Sequence, residues 1–266
     1  MSSDSGRVTV PKFIAMKAAG RKITMLTAYD YPMARLVDAA GVDAILVGDS
    51  LAQVVQGHAT TLPVTLDQMV YHAEMVGRAV QRALVVVDMP FPTDRLGGLE
   101  AVRSAGRILK ETRCQAVKLE GGGDQAEVVA ALVSAGIPVM AHCGLRPQSI
   151  HQTGGYRVQR DRQQLHSEAK AAEAAGAFAI LLECIPADLG AEVTAAVSIP
   201  TIGIGAGPGC DGQVLVFHDL LGLTPGRLPR HVKTYADLGK TTAEAIARYC
   251  DEVRTGQFPG PEQSFQ

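Results

Sequence analysis

The chain has 266 residues, 47% of them hydrophobic, enough to bury the core of one α/β barrel or of two smaller domains. Its 25 basic and 27 acidic side chains nearly cancel to a formal charge of -2, which excludes the electrostatic signature of nucleic-acid or anionic-membrane binding and leaves small-molecule substrates as the expected partners. No run of about 18 apolar residues occurs, residues 1–7 lack a signal-peptide core, and five scattered cysteines without a Cys-x-x-Cys pair read as free thiols, so a cytoplasmic protein without membrane association is expected.

In chain order, residues 10–19 have the pattern of an extra N-terminal helix. Short apolar runs then alternate with longer stretches of helical period, the pattern of a parallel sheet wrapped by helices. The expected strands are 22–29, 44–48, 84–87, 116–119, 139–141, 179–182, 201–204 and 214–217. Ala40-Gly41, Ala135-Gly136 and Ala175-Gly176 each close a helix just before a strand, where glycine takes the left-handed turn. Thr65 with Gln68, Asp124 with Glu127, and Asp161 with Gln164 have capping-box spacing. After Thr65, the apolar residues Leu66, Met69, Val70, Ala73, Val76 and Val80 recur at helical spacing and should face the sheet. Residues 236–255 read as a C-terminal helix, and the Gly- and Pro-rich tail from Gly256 as loose. Even strand spacing without a linker favours a single (β/α)8 TIM barrel over residues 1–266, with extra N- and C-terminal helices, over an open sheet with a second domain.

In such a barrel the chemistry lies at the C-terminal ends of the strands. Five consecutive expected strands deliver an ionisable group there: Asp49, Asp88, Glu120, His142 and Glu183. Any one aspartate alone reads equally well as a helix cap or turn residue. Four carboxylates at one mouth, however, repel and resist desolvation unless a cation or a proton neutralises them. An all-oxygen ligand set without a His pair or thiolate cluster points to Mg2+ over Zn2+. Lys118 and Glu120 share a strand face, either as a substrate-carboxylate cation beside a metal ligand or as an ion pair filling the barrel. His142 is either a substrate donor or structural. Gly203-Ile204-Gly205-Ala206-Gly207 lacks dinucleotide spacing and suits a weak phosphate site or a tight turn. Residues 53–63 and 146–162 are long for βα connections and are candidate lids.

From Thr24-Ala28-Tyr29-Asp30 almost to the C-terminus the chain resembles the ketopantoate hydroxymethyltransferase family. The resemblance is carried by Leu46-Val47-Gly48-Asp49-Ser50, Gly57-His58, Thr61-Leu62-Pro63-Val64-Thr65 and Val117-Lys118-Leu119-Glu120-Gly121-Gly122. It continues through Pro147-Gln148-Ser149, Gly154-Gly155-Tyr156, Leu182-Glu183-Cys184, the glycine stretch from Gly203 to Gly207, and Asp211-Gly212-Gln213. It implies a barrel of the phosphoenolpyruvate/pyruvate type that transfers a hydroxymethyl group from 5,10-methylenetetrahydrofolate to 3-methyl-2-oxobutanoate in pantothenate biosynthesis, through a metal-stabilised enolate. Carried over, Asp49, Asp88 and Glu120 would be the Mg2+ ligands, with Glu120 direct or through water. Ser50 and Lys118 would hold the oxo acid together with Asp49, Asp88 and His142, and Glu183 would be the base. The family is typically a homodecamer.

The chain departs from the family pattern over residues 91–98 and at Ala59, Ala141, Cys143, Arg146, Arg160 and Gln263, positions that bear on loop closure and folate docking rather than on the acids. The rivals are a metal-dependent 2-oxo-acid aldolase or phosphoenolpyruvate mutase or lyase on the same barrel, and a non-catalytic relative kept as a binding or assembly module. The Lys-Lys-Cys-Gly-His loop usual in those lyases is absent.

Overall fold

The computed structural model describes residues 6–265, so the first five residues of the polar N-terminal segment lie outside it. The chain divides into two compact units, one through Val216 and one from Phe217.

The first unit opens with α1 (Val10–Ala18), capped by the Thr9 hydroxyl on the Lys12 amide. The strands β1 (Ile23–Thr27), β2 (Ala44–Val47), β3 (Leu84–Asp88), β4 (Ala116–Glu120), β5 (Val139–Gly144), β6 (Ala179–Glu183), β7 (Thr201–Ile204) and β8 (Gly212–Leu215) form a closed barrel in sequence order. Each strand is parallel to its neighbours, and β8 returns to β1. The connecting helices are α2 (Tyr31–Ala39), the short α3 (Leu51–Val54), α4 (Leu66–Ala79), α5 (Gly98–Glu111), α6 (Ala126–Ser134), the short α7 (Ile150–Thr153), α8 (Arg162–Ala174) and α9 (Ala187–Ala196). The β7–β8 connection, residues 205–211, contains no helix.

Four strands run past their expected ends, so Asp88, Glu120, His142 and Glu183 are strand residues rather than the first residues of loops. The last strand was expected at 214–217 but begins two residues earlier. Gly212 reads as a break, yet it is where β8 passes between its neighbours: a Cβ there would lie 2.5 Å from the Ile23 carbonyl oxygen.

Alternation along each strand sorts the core. Ile23 and Met25, Ala44 and Leu46, Leu84 and Val86, Ala116, Met140, Ala179 and Leu181, Ile202 and Val214 share one buried cluster with Phe13 and Met16 of α1. Thus α1 packs onto the barrel interior, and the Phe13 ring meets Phe178 edge-on at 5.7 Å. Lys17 secures it through Asp211 at 3.0 Å and the carbonyls of Thr194 and Ile199. The alternate residues Cys143, Ile180 and Leu182 pack outward with Leu165, Ala169, Leu189 and Val193 of α8 and α9.

All three Ala-Gly helix ends have glycine at positive φ, as expected. Thr65 and Gln68 make the full capping box, and Met69, Val70, Ala73 and Val76 are buried while Leu66 is only partly so. Asp161 accepts from the Gln164 amide, but the Gln164 side chain reaches Glu168 instead of closing the box. Asp124 does not cap α6, because a 3-10 turn at Gly123–Gln125 precedes that helix and the Asp124 carboxylate is drawn to arginines. None of the five cysteines is in a disulfide.

The second unit contains α10 (Phe217–Leu220) and α11 (Leu238–Arg254), the expected C-terminal helix, capped by Asp237 on Lys240. No α11 residue is buried, and Ile246, Tyr249 and Val253 are exposed. The tail from Gly256 is largely exposed and carries a 3-10 turn at Pro261–Gln263.

Candidate active site at the barrel mouth

The parity that turns Leu84, Val86, Ala116, Met140, Ala179 and Leu181 into the interior carries on to the top of the same strands. Counting in twos from those residues gives Asp88, Lys118 and Glu120, His142, and Glu183, so every one points into the barrel. Strand register sets them side by side: Asp88 pairs with Lys118, Glu120 with His142, and Gly144 with Glu183. The apolar layers become a polar one at the mouth.

Asp49 and Ser50 come from the turn after β2. The Asp49 amide donates to Asp88 Oδ2 at 2.9 Å. Gly48 leaves room for the Ser50 hydroxyl, since a Cβ there would lie 2.8 Å from Ser50 Oγ. Ser50 Oγ and the Tyr29 hydroxyl are 2.8 Å apart. Lys118 Nζ lies 3.1 Å from Asp88 Oδ1 and donates to His142 Nδ1 at 3.3 Å. The ion pair of Lys118 is therefore with Asp88, across the strands, and not with Glu120 along its own strand. An ammonium only donates, so the neutral imidazole carries its proton on Nε2. That atom is buried, lies 3.3 Å from Glu183 Oε2, and meets no aligned acceptor among the described residues.

Asp49, Asp88, Lys118, Glu120 and His142 are all more than nine-tenths buried, and the Glu183 side chain is 19% exposed. Burial pushes the Asp88 carboxyl up to about 7; Lys118 opposes this and Asp49 adds to it. Burial, then Asp49 and Glu183, hold Glu120 well above the usual carboxylate range. Burial alone would lower the Lys118 ammonium, but Asp88, Asp49 and Glu120 outweigh it and hold it above its ordinary value. Burial and then Lys118 hold His142 well below the ordinary imidazole value, consistent with a neutral ring.

The group sets four carboxyl side chains, Asp49, Asp88, Glu120 and Glu183, against the single ammonium of Lys118. Among the described residues no group of three or more His, Cys, Asp or Glu side chains is placed so that it could hold a metal ion. Mg2+ does not require one: it binds through one or two carboxylates and completes its shell with water and substrate. The donor set, carboxylate oxygens with Asp88 Oδ1 buried and without a well-aligned hydrogen bond, fits a hard divalent cation.

Gln148, which charge patterning does not reveal, stands at the centre of the mouth. Its side-chain amide donates to Asp49 Oδ2 at 2.9 Å and to the Met89 carbonyl at 3.1 Å, and its backbone amide donates to both Glu120 oxygens at 3.0 and 3.3 Å. Its only sequence signal is its place in Pro147-Gln148-Ser149, in the connection after β5. Arg95, in the altered 91–98 stretch, donates to the Glu120 carbonyl at 2.6 Å. Arg146 pairs with Asp124 and Glu168, each at 2.8 Å. The two candidate lids meet where Gln53 Nε2 reaches the Tyr156 hydroxyl at 3.3 Å. In the glycine stretch after β7, a Cβ on Gly207 would fall 2.4 Å from that of Ala187, so this glycine lets α9 pack closely. A cavity of about 310 Å3 opens among Gly144, Arg146, Gln152, Gln159 and Glu168, and none of the expected acids lines it.

Residues 7–261 match the family model described as ketopantoate hydroxymethyltransferase. The chain is 59% identical over 260 residues to the 3-methyl-2-oxobutanoate hydroxymethyltransferase of Rhodopirellula baltica, covering 98% of this chain and 97% of that one. It is 54% identical over 268 residues to the enzyme of the same name from Pelobacter propionicus, covering both chains completely. Among solved structures, 2,3-dimethylmalate lyase, of the PEP mutase/isocitrate lyase superfamily, superposes with a TM-score of 0.62 at 20% identity, covering 97% of this chain and 91% of that one. Phosphonopyruvate hydrolase gives 0.62 at 14% identity over 96% and 92%. The structural likenesses establish the barrel type alone.

Proposed function

The chain belongs to the ketopantoate hydroxymethyltransferase family and is a one-carbon transferase forming ketopantoate from 3-methyl-2-oxobutanoate, and from that premise we propose how its barrel mouth works. The carbon donor is 5,10-methylenetetrahydrofolate, and Asp49, Asp88 and Glu120 would hold Mg2+, Glu120 directly or through water. When bound, the cation supplies Lewis acidity to the oxo acid's oxygens. The observation that carries this reading is the row of inward-facing side chains Asp88, Lys118, Glu120, His142 and Glu183 on four adjacent strands.

Lys118, kept charged by the acids around it, meets the substrate carboxylate, and Ser50 on its Tyr29 tether offers a hydroxyl beside it. The Nε2–H of His142 is an obligate donor facing the mouth, suited to a substrate oxygen. Glu183, the least buried of these carboxylates, takes the proton from C3 of the oxo acid. The resulting enolate carbon bonds to the methylene carbon as one of its two carbon–nitrogen bonds to the folate breaks; a water oxygen then replaces the second nitrogen, and the proton taken from C3 and one from that water end on the two folate nitrogens. Ketopantoate and tetrahydrofolate leave. The same reading makes the protein cytoplasmic and homodecameric; among the described residues no helix is long and apolar enough to cross a membrane.

The test is proton NMR in D2O with Mg2+ and 3-methyl-2-oxobutanoate, with and without methylenetetrahydrofolate. The reading requires C3 deuteration without folate and ketopantoate only with it. Exchange without folate-dependent product would favour an aldolase, and no exchange a binding module. Glu183→Gln should lower exchange by about 10²- to 10⁴-fold while oxo-acid binding persists; loss of binding instead would remove Glu183 from the role of base.

A further inference from the structure

We propose that Gln148 is the positioning residue of the cation site, tying the loop after β5 to two of the acids expected to hold the metal, Asp49 through its side chain and Glu120 through its backbone amide. This rests on the Mg2+ reading above and assigns a role to a residue outside the acid cluster. Gln148 is only 7% exposed and belongs to the 3-10 turn Pro147–Ser149 at the start of the candidate lid. It engages both acids at once, through different groups. Its backbone amide is shared between the two oxygens of Glu120, and its side-chain amide is shared between Asp49 Oδ2 and the Met89 carbonyl.

The orientation of the carboxamide is unambiguous, because both groups facing Nε2 are acceptors. Oε1 is thereby held away from them, buried, and without a hydrogen-bond partner among the described residues. A neutral amide oxygen in that state accepts from a donor the chain does not supply, such as a water in a cation's shell, and it is itself an oxygen of the kind a hard cation tolerates. Hydrogen bonds to ligating carboxylates fix their direction, and their loss characteristically weakens metal binding by about 10- to 100-fold. Because the contacts to Asp49 and Glu120 come from one residue of the loop, displacement of residues 147–149 would release both acids together.

The decisive variant is Gln148→Met, which keeps length and bulk, removes the side-chain donor to Asp49, and preserves the backbone amide to Glu120. Mg2+ binding is measured by calorimetry on the full chain without substrates, alongside melting of the protein with and without Mg2+. The expected result is an affinity about 10- to 100-fold below that of the parent and a smaller rise in melting temperature on adding Mg2+. A variant that melts lower but binds Mg2+ as tightly as the parent would show that Gln148 serves stability alone and would overturn the proposal. Failure of the parent itself to bind Mg2+ would instead overturn the cation reading on which this rests. Gln53→Met, which breaks the contact to Tyr156 without touching either acid, should bind Mg2+ like the parent; an equal loss there would assign the effect to general loosening of the lid and also overturn the proposal.

Discussion

Asp94 is buried completely, with neither carboxylate oxygen in a well-aligned hydrogen bond to another described residue and with Arg95 Nε at 3.5 Å. Burial pushes its carboxyl up to about 6, against the opposing pull of Arg95. The sign of the consequence follows from linkage. Between the usual carboxylate value and about 6, the folded chain keeps a proton that the unfolded chain has already released, so stability falls as pH rises through that window and levels off above it. Asp94→Asn should therefore gain stability over the parent near pH 8, by an upper limit of roughly 3 kcal/mol, and little near pH 4. Urea unfolding at the two values checks it, and a gain independent of pH would rule out Asp94 as the source. At this scale the acids were legible because charge at the end of an apolar run is conspicuous. Gln148 and Tyr29 were not: both are uncharged, and their partners come from elements distant in sequence.

The strands show how an element's own period places chemistry. Period two decides that Lys118 and Glu120 face together, and it puts both inside only because Ala116, two residues earlier, faces the core. The helix α1 shows the opposite case. Its apolar residues and cap predict a helix, but nothing local says that Phe13 and Met16 join the core formed by the barrel strands. Phe13→Ala should cost about 3–5 kcal/mol, the price of a buried aromatic, where an exposed appendage would lose almost nothing. Chemical denaturation of the variant distinguishes the two. Asp124 marks the limit of spacing rules: it stands at the right interval from Glu127, yet Arg95 and Arg146 compete successfully for its carboxylate.

Two loops of the chain meet through charge. Arg95 and Arg146 come from different loops, both reach Asp124, and Arg95 also holds the Glu120 carbonyl, so the two arginines build a charged brace beside the acids. The barrel unit exposes Leu36, Tyr71 and Leu99 on α2, α4 and α5, and α11 exposes Ile246, Tyr249 and Val253. Exposed apolar residues of this number are consistent with association. Light scattering at micromolar concentration should give the mass of a homodecamer; a monomer would remove that part of the proposed function.

The amino-acid sequence by itself determined the barrel, its strand order and the identity of the acids, because these depend on local periodicity and on which residue ends each apolar run. Only the tertiary structure decided which charges pair, which imidazole nitrogen carries the proton, and which neutral amide orients the acids. Those outcomes depend on distances between segments far apart in the chain, and burial at the mouth makes each such distance consequential.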